Sequence, residues 1–285
     1  MSVVEVVGLD RVRRFNAEFS ARAADIERAR QWEAQRVRRQ IESRALVAVA
    51  PFVKEAPRID GERSPGEWMH AVALDASESA SFAAAYDREN LYVCWASKDL
   101  GPVNNSGSDF RRIFKTGGGV DLFIGCDPSA DPARVGPAAG DARIVIASVN
   151  DHPLAVLYQP TASGAAASEK WTTRTEAGGE TSFDRVVPMK EASVAINQKD
   201  RFFVVEAAIP WHTLGCAAPA GKTVKMDWGV LVSRDGVQVQ ARSYWANKKA
   251  TGTSDEAVEA RLEPGLWGYL RFEEECAEEL DSLLK

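Results

Sequence analysis

Two charged residues carry the clearest chemical signal in this chain. Asp121 lies in the apolar run from Gly119 to Gly125, and Arg143 begins a second apolar run that ends at Val149. A carboxylate in an apolar strand must face solvent or be paired, because an unpaired buried charge is costly. A guanidinium beside a carboxylate also offers planar, bidentate hydrogen bonds to vicinal hydroxyl groups. The two residues therefore predict either a structural ion pair or the floor of a binding groove.

Aromatic side chains that could offer a flat apolar surface to a ligand lie near two strand ends. Trp245, close to Asn247, is the best candidate among the eight tryptophans for a solvent-facing platform. Trp95 precedes a polar Ala-Ser-Lys-Asp segment and is a second candidate. Core packing is the better interpretation for most of the others, which lie in alternating strands or in a helical turn.

A loop from 127 to 140 with three prolines carries carboxylates that suit a hard cation. Asp127, Asp131 and Asp141 flank it, and carboxylates together with free backbone carbonyls are the ligands that calcium prefers. A structural calcium ion is therefore a cofactor hypothesis.

No catalytic motif accompanies these residues. The chain has no GxSxG, HExxH, P-loop or GxGxxG pattern, and its three histidines have no nucleophile or metal-type neighbour at a recognisable spacing. We therefore predict that the protein is not an enzyme. A glycoside hydrolase stays an alternative, because paired carboxylates need a spatial separation and no sequence spacing.

The elements that must position these residues are short strands. Polar loops at 87–90 and 150–153 separate apolar runs, and Asp235-Gly236 is a strong turn signal. About a dozen such strands follow one another without a long helix between them. The pattern predicts an all-β fold, an antiparallel β-sandwich of the immunoglobulin or jelly-roll type.

The region before the strands has a different period. Apolar residues recur at helical spacing between 11 and 46, with many arginines between them, which predicts one long amphipathic α-helix. We predict three parts: the helix and linker over 1–50, the sandwich over 51–275 and an acidic tail over 276–285. The helix is expected to dock on the sandwich or to connect it to other domains of a larger chain.

Composition excludes several classes of function. The net charge of −6 and the pI near 5.3 argue against a nucleic-acid-binding protein. No apolar run approaches the length of a membrane span, and no secretory signal is visible. The four cysteines show no CxxC motif, and we expect unpaired thiols.

An ordered series of phrases then indicates a family. The series is Ile59-Asp60-Gly61 with Glu67-Trp68, Asn90-Leu91-Tyr92-Val93, Val120-Asp121-Leu122-Phe123-Ile124, Val205-Glu206-Ala207-Ala208-Ile209-Pro210-Trp211 and Leu266-Trp267-Gly268. In this order the phrases resemble carbohydrate-binding module family 9, across about three quarters of the chain.

The resemblance implies a site as well as a fold. In sugar-binding members of that family two tryptophans sandwich a terminal sugar, and an acidic residue and an arginine bind its hydroxyls. Asp121 and Arg143 match the polar pair. Phe114-Lys115 stands where the first tryptophan is expected. The second is expected in the loop after Trp245, which has no aromatic residue before Gly252.

The sequence thus predicts a non-catalytic module that binds a carbohydrate ligand, in an extracellular or periplasmic setting implied by the resemblance. The alternative is a structural or docking domain of a larger protein that has lost the sugar site. The predicted ligand-binding residues are Asp121, Arg143, Phe114, Lys115, Trp245, Asn247 and Trp95.

Overall fold

The computed structural model describes residues 46–175 and 178–274, which form a β-sandwich. The predicted N-terminal helix and the predicted acidic tail lie outside the described residues. Strand β1 is Val47–Ala50, so the sandwich begins slightly before the predicted boundary at 51. Within the described ranges no helix is long and apolar enough to cross a membrane.

Sixteen strands are assigned within the described residues. They are β1 (Val47–Ala50), β2 (Val72–Ala73), β3 (Ala80–Tyr86), β4 (Asn90–Ser97), β5 (Asn104–Asn105), β6 (Gly119–Gly125), β7 (Asp141–Val149), β8 (His152–Gln159), β9 (Trp171–Arg174), β10 (Glu180–Phe183), β11 (Arg185–Pro188), β12 (Ser193–Lys199), β13 (Phe202–Pro210), β14 (Thr223–Val232), β15 (Ala241–Tyr244) and β16 (Gly268–Phe272). Two short α-helices, α1 (Trp211–Leu214) and α2 (Glu256–Ala260), lie between them.

The strands form two large sheets and one small hairpin. Nine strands make the larger sheet in the order β1-β16-β14-β6-β7-β8-β11, with β15 beside β14 and β5 beside β7. Five strands make the smaller sheet in the order β12-β13-β4-β3-β2, and β9 pairs with β10 alone. The predicted antiparallel pairing holds for most neighbours, but β1–β16 and β5–β7 are parallel.

The main core lies between the two large sheets. Alternate residues of β6, Val120, Leu122 and Ile124, belong to it together with Phe82 and Trp95 of the smaller sheet. Phe82 also stacks on Trp228 of β14, with ring centroids 5.5 Å apart. Because side chains alternate along a strand, the residues between the core residues of β6, such as Asp121, point to the opposite face of the sheet.

A buried carboxylate organises the outer face of the smaller sheet. Glu206 of β13 is fully buried and accepts hydrogen bonds from the backbone N–H groups of Asp60 and Gly61, at 3.1 and 2.9 Å, and from Trp68 Nε1 at 2.8 Å. Gly61 has φ of +82°, a conformation that favours glycine. The Ile-Asp-Gly phrase, the tryptophan and the Val-Glu-Ala phrase are far apart in the sequence, but in the fold they meet at the carboxylate of Glu206.

The outer face of the nine-stranded sheet is also covered. A second apolar cluster lies on it, with Phe123, Val145 and Tyr158 from the sheet and Phe114 and Leu262 from the segments above. The cover consists of a 3-10 helix (Phe110–Arg112), the β9–β10 hairpin and α2. All seven residues of β6 are therefore buried, which accounts for its continuous apolar sequence.

Candidate functional site

Asp121 and Arg143 form a buried ion pair on the covered face of the nine-stranded sheet. In the register of β6 and β7, Asp121 lies opposite Val145 and Arg143 opposite Phe123, so the two side chains are diagonal neighbours. Arg143 Nε donates to Asp121 Oδ1 and Nη2 donates to Oδ2, both at 2.7 Å. Both side chains are fully buried, at 0% exposure. The predicted partnership is therefore present as a bidentate salt bridge away from solvent.

Tyr244 completes the hydrogen bonding of this carboxylate. Its hydroxyl donates to Asp121 Oδ2 at 2.9 Å, and the tyrosine lies opposite Gly229 on the neighbouring strand β14. A Cβ atom at Gly229 would overlap the Tyr244 ring and the Ser243 carbonyl oxygen. Glycine at 229 therefore leaves the space through which the tyrosine reaches Asp121.

Aromatic rings surround the guanidinium of Arg143. Its Cζ lies 4.9 Å from the centroid of Phe114, 5.2 Å from that of Phe123 and 5.9 Å from that of Tyr158. Such contacts stabilise a desolvated cation through the negative faces of the rings. Trp171 of β9 extends this layer, with its ring centroid 6.1 Å from that of Phe114.

One residue of α2, Glu259, accepts hydrogen bonds from the cationic side chains of the site. The backbone carbonyl oxygen of Glu259 accepts from Arg143 Nη1 at 2.8 Å and from Arg242 Nη1 at 3.1 Å. Its carboxylate accepts from Arg242 Nη2 at 2.6 Å and from Lys115 Nζ at 2.7 Å. Three cationic side chains thus converge on the oxygens of a single residue.

Short-range contacts hold α2 over the sheet. Asp255 caps its N-terminus by accepting from the N–H groups of Ala257 and Val258. Glu256 accepts from Arg112 Nε at 3.0 Å and from the Thr173 hydroxyl at 2.9 Å, which ties the helix to the 3-10 helix and to the hairpin. Helix α2 is therefore held by polar contacts with the 3-10 helix and with the β9–β10 hairpin.

Electrostatics fix the protonation states of Arg143 and Tyr244. Burial opposes the charge on Arg143, but the charge and hydrogen bonds of Asp121, together with the nearby Tyr244 and Tyr158, raise the pKa of the guanidinium. Burial, reinforced by the Asp121 charge, also raises the pKa of the Tyr244 hydroxyl. Arg143 therefore stays charged, and Tyr244 stays a donor throughout the physiological pH range.

The structure brings together four of the seven predicted ligand-binding residues. Asp121, Arg143, Phe114 and Lys115 all belong to the network, and the side chain of Lys115 keeps 27% of its surface exposed. Phe114 is fully buried beneath Trp171, so the ring does not face solvent.

The other three predicted residues lie elsewhere, and the expectation of a solvent-facing tryptophan is wrong. Trp245 is 6% exposed and Trp95 is fully buried, and both belong to the core between the sheets. Asn247 is 8% exposed, and its Oδ1 accepts from the N–H groups of Lys249 and Ala250 in a tight turn. The polar residues after Trp245 suggested exposure, but this turn folds back onto the sandwich and buries the indole.

A further carboxylate anchors that turn. Asp227 of β14 accepts from the N–H groups of Ala246 and Asn247, both at 2.8 Å, and from that of Trp228. Burial raises the pKa of Asp227 to about 7, although the three backbone N–H groups oppose the shift.

The three predicted calcium ligands are each engaged with protein groups. Asp127 accepts from the backbone and hydroxyl of Ser129, and Asp131 accepts from the N–H of Ala133. Asp141 forms a bidentate ion pair with Arg134. Across the described residues, no three His, Cys, Asp or Glu side chains are grouped so that they could hold a metal ion. Calcium binding stays a prediction.

Sequence reasoning missed the residues that close the site. Arg242 and Tyr244 alternate on β15 and so share a face, a signal that the strand pattern contained. Glu259 lies in Asp255-Glu-Ala-Val-Glu-Ala260, where an N-cap aspartate precedes helix formers, a recognisable helix start. The short length of α2 hid it among the loops.

Two surface cavities lie apart from the network. One of about 300 Å³ is lined by Arg63, Ser81 and Lys98 on the smaller sheet. The other, about 330 Å³, lies between β8 and β12 and is lined mainly by apolar residues such as Leu154 and Met189. Neither includes a residue that bonds to Asp121 or Arg143.

No protein-family model matches this chain, and no curated protein does. Solved structures do. A carbohydrate binding module family 9 from Caldicellulosiruptor kristjanssonii in complex with glucose is 14% identical, with a TM-score of 0.49 over 82% of this chain and 100% of that chain. The same module with cellotriose gives the same identity and TM-score over 82% and 97%. A candidate carbohydrate-binding protein from Bacteroides uniformis is 14% identical, with a TM-score of 0.43 over 80% and 99%. Two of these solved structures are of the family that the sequence phrases resemble, and a likeness this distant transfers no function to the chain.

Proposed function

We propose that this domain is a non-catalytic carbohydrate-binding module whose site is the Asp121–Arg143 network. The convergence of Arg143, Arg242 and Lys115 on the oxygens of Glu259 carries the proposal. A saccharide presents oxygens in the same way, and the aromatic rings around Arg143 supply the apolar surface that a sugar ring needs. Glu259 then occupies the place of a ligand.

The charges favour an acidic saccharide. Without Glu259, three cationic side chains, Arg143, Arg242 and Lys115, face the single carboxylate of Asp121. A uronate group would restore the balance by accepting from Arg242 and Lys115 as the Glu259 carboxylate does. A neutral sugar would leave two positive charges without a counterion in a low-dielectric site.

Ligand entry requires α2 to move away from the sheet. The helix has five residues, and the segment before it, from 246 to 255, is polar and includes Gly252. Its polar attachments are the Glu256 contacts, the Glu259 network and a bond from Thr181 to the Ala257 carbonyl oxygen, and Ala260 packs in the apolar cluster beneath it. The measured affinity is therefore the intrinsic affinity multiplied by the fraction of molecules in which α2 has moved away from the sheet.

The proposed setting is extracellular or periplasmic, as part of a larger protein in which the module directs its neighbours to a polysaccharide. A glycan array with neutral and uronate-containing oligosaccharides tests the proposal on the full chain. Asp255→Ala removes the N-cap of α2 without touching the network, and caps of this kind contribute about 0.5–2 kcal/mol. This variant should bind acidic saccharides at least several-fold more tightly than the wild type.

Asp75→Ala is the matched control, because Asp75 caps a loop of the smaller sheet through Ser77 and Ser79. It should bind like the wild type. The proposal would be contradicted if neither the folded wild type nor folded Asp255→Ala bound any acidic or neutral saccharide.

The complete burial of Asp121 and Arg143 favours a second candidate function. In that case the network is structural, and the module serves as a docking or spacing domain. The Asp255→Ala experiment separates the two, because a structural network gains no saccharide affinity when its cover is loosened.

A further inference from the structure

A polar cavity of about 300 Å³ lies on the outer face of the smaller sheet, apart from the Asp121–Arg143 network. Its floor is a row across three strands, because Ala73 of β2 pairs with Ser81 of β3, and Ser81 pairs with Ala96 of β4. Residues that pair directly across neighbouring strands point to the same face of the sheet. All three side chains are small, so they leave a depression in the sheet surface.

One wall of the cavity is the segment from 58 to 68, which carries Arg63. The buried carboxylate of Glu206 holds this segment on the sheet by accepting from two of its backbone N–H groups and from the indole of Trp68. Arg63 Nη1 donates to the Ser81 hydroxyl on the floor at 3.0 Å. The fold therefore places a guanidinium at the cavity.

This guanidinium has a neutral partner. Its hydrogen bond goes to a hydroxyl oxygen, and across residues 46–175 and 178–274 no carboxylate forms an ion pair with Arg63. A guanidinium presents a planar fork of N–H donors that matches the two oxygens of a carboxylate. The donors of Arg63 that are not bonded to Ser81 thus suit an anion in the cavity.

The opposite rim carries a weak ion pair. Lys98 Nζ lies 3.5 Å from Glu78 Oε2, and the two side chains are 68% and 70% exposed. An exposed pair of this kind contributes little to stability, so either side chain can turn to a ligand at low cost. With Arg63, the lining has two positive charges and one negative charge, a net charge of +1. This balance matches a ligand with a single negative charge.

We propose that this cavity binds a small hydroxy acid that carries one carboxylate. The carboxylate accepts from the guanidinium of Arg63 and from the ammonium of Lys98, and a ligand hydroxyl donates to Glu78. The carbon skeleton lies on the methyl groups of the floor. Small-molecule sites span about 300–1,000 Å³, so a cavity at the lower limit fits an open-chain sugar acid or a smaller molecule. The inference does not rest on the Asp121–Arg143 network.

Alanine-methyl NMR of the full chain tests the proposal, because Ala73 and Ala96 report directly on the floor. Gluconate is the probe, and sorbitol is its neutral counterpart with the same carbon skeleton. Gluconate at about 50 mM should shift both methyl signals, with a Kd in the millimolar range that is expected of a small ligand in an open site. Sorbitol at the same concentration should shift neither signal.

Two kinds of variant separate specific binding from general attraction of anions. Arg63→Gln removes the fork and should weaken gluconate binding about ten-fold or more, whereas Arg63→Lys keeps the charge and should lose only part of the affinity. Ala73→Leu fills the floor without changing any charge and should abolish the shift at Ala96; Ala73 is exposed, so the fold tolerates the larger side chain. Arg271→Gln changes an exposed arginine of the other sheet and should bind gluconate like the wild type.

The proposal would be overturned if gluconate shifted neither floor signal, if sorbitol shifted them equally, or if Arg63→Gln and Ala73→Leu bound gluconate like the wild type. Shifts confined to Ala257 and Ala260 of α2 would place the hydroxy acid at the Asp121–Arg143 network instead. That result would overturn this site and leave the proposed saccharide site intact.

Discussion

Arg143→Met removes the cation at the centre of the buried network. Methionine fills part of the same volume but leaves Asp121 fully buried with the Tyr244 hydroxyl as its remaining partner. Removing one member of a buried ion pair typically destabilises a protein by about 3–5 kcal/mol, because the other charge stays in a low-dielectric environment. Arg143 makes three short hydrogen bonds, two of them to a carboxylate, so the upper part of that range is expected.

Urea unfolding followed by circular dichroism measures this loss, and the matching decrease in Tm is about 6–20 °C for a domain of this size. The control is Arg271→Met, which changes an exposed arginine on β16 and should alter the free energy of unfolding by less than about 0.5 kcal/mol.

A double variant separates the ion pair from simple packing. Asp121→Leu with Arg143→Met removes both charges, and it should be more stable than Arg143→Met alone by about 2 kcal/mol or more. The pair would be refuted as a buried, mutually neutralising one if the stability loss of the double variant equalled the sum of the losses of Asp121→Leu and Arg143→Met, or if Arg143→Met lost less than about 1 kcal/mol.

Three further predictions concern the residues around the core. Gly229→Ala should destabilise the protein by more than about 2 kcal/mol in urea unfolding, because its methyl group overlaps the Tyr244 ring and the backbone of β15, whereas a similar change at the open position Gly136 should be nearly neutral. The pKa of Asp227 in the folded protein, about 7, exceeds its unfolded value, so the contribution of Asp227 to stability is present below about pH 4 and is lost as the pH rises to about 7. The Tm difference between wild type and Asp227→Asn should therefore change between these two pH values. A constant Tm difference would contradict the raised pKa of Asp227. Glu206→Gln should destabilise by about 1–3 kcal/mol and accelerate hydrogen exchange at 60–68, while exchange in β6 stays slow.

The sequence predicted the fold because its strand phrases are local signals. The hairpin of β3 and β4 and that of β7 and β8 appear where apolar runs meet polar loops, and the structure confirms both. The parallel pairing of β1 with β16 could not be predicted, because it joins opposite ends of the chain. No local pattern encodes such a contact.

The site was predicted in part, for a physical reason. Asp121 had to be exposed or paired, and that argument correctly singled out Arg143 as its partner. The exposure of Trp245 was predicted wrongly, because polar residues follow it in the sequence, whereas its indole belongs to the core between the two large sheets. A strand period also identifies two faces without saying whether both are covered. In this chain both faces of the nine-stranded sheet are buried, and the cover comes from α2 and a hairpin distant in sequence.

The most direct test of the binding proposal is thermal unfolding of Glu259→Ala with and without added saccharide. Removing this carboxylate leaves Arg242 and Lys115 without their shared partner. A uronate-containing oligosaccharide in excess should raise the Tm of Glu259→Ala by several degrees, since a ligand that binds only the folded state stabilises it by mass action. The wild type should respond much less, and neutral glucose should raise neither Tm. Identical Tm values for Glu259→Ala with and without the acidic saccharide would contradict the proposal that Glu259 occupies a ligand site.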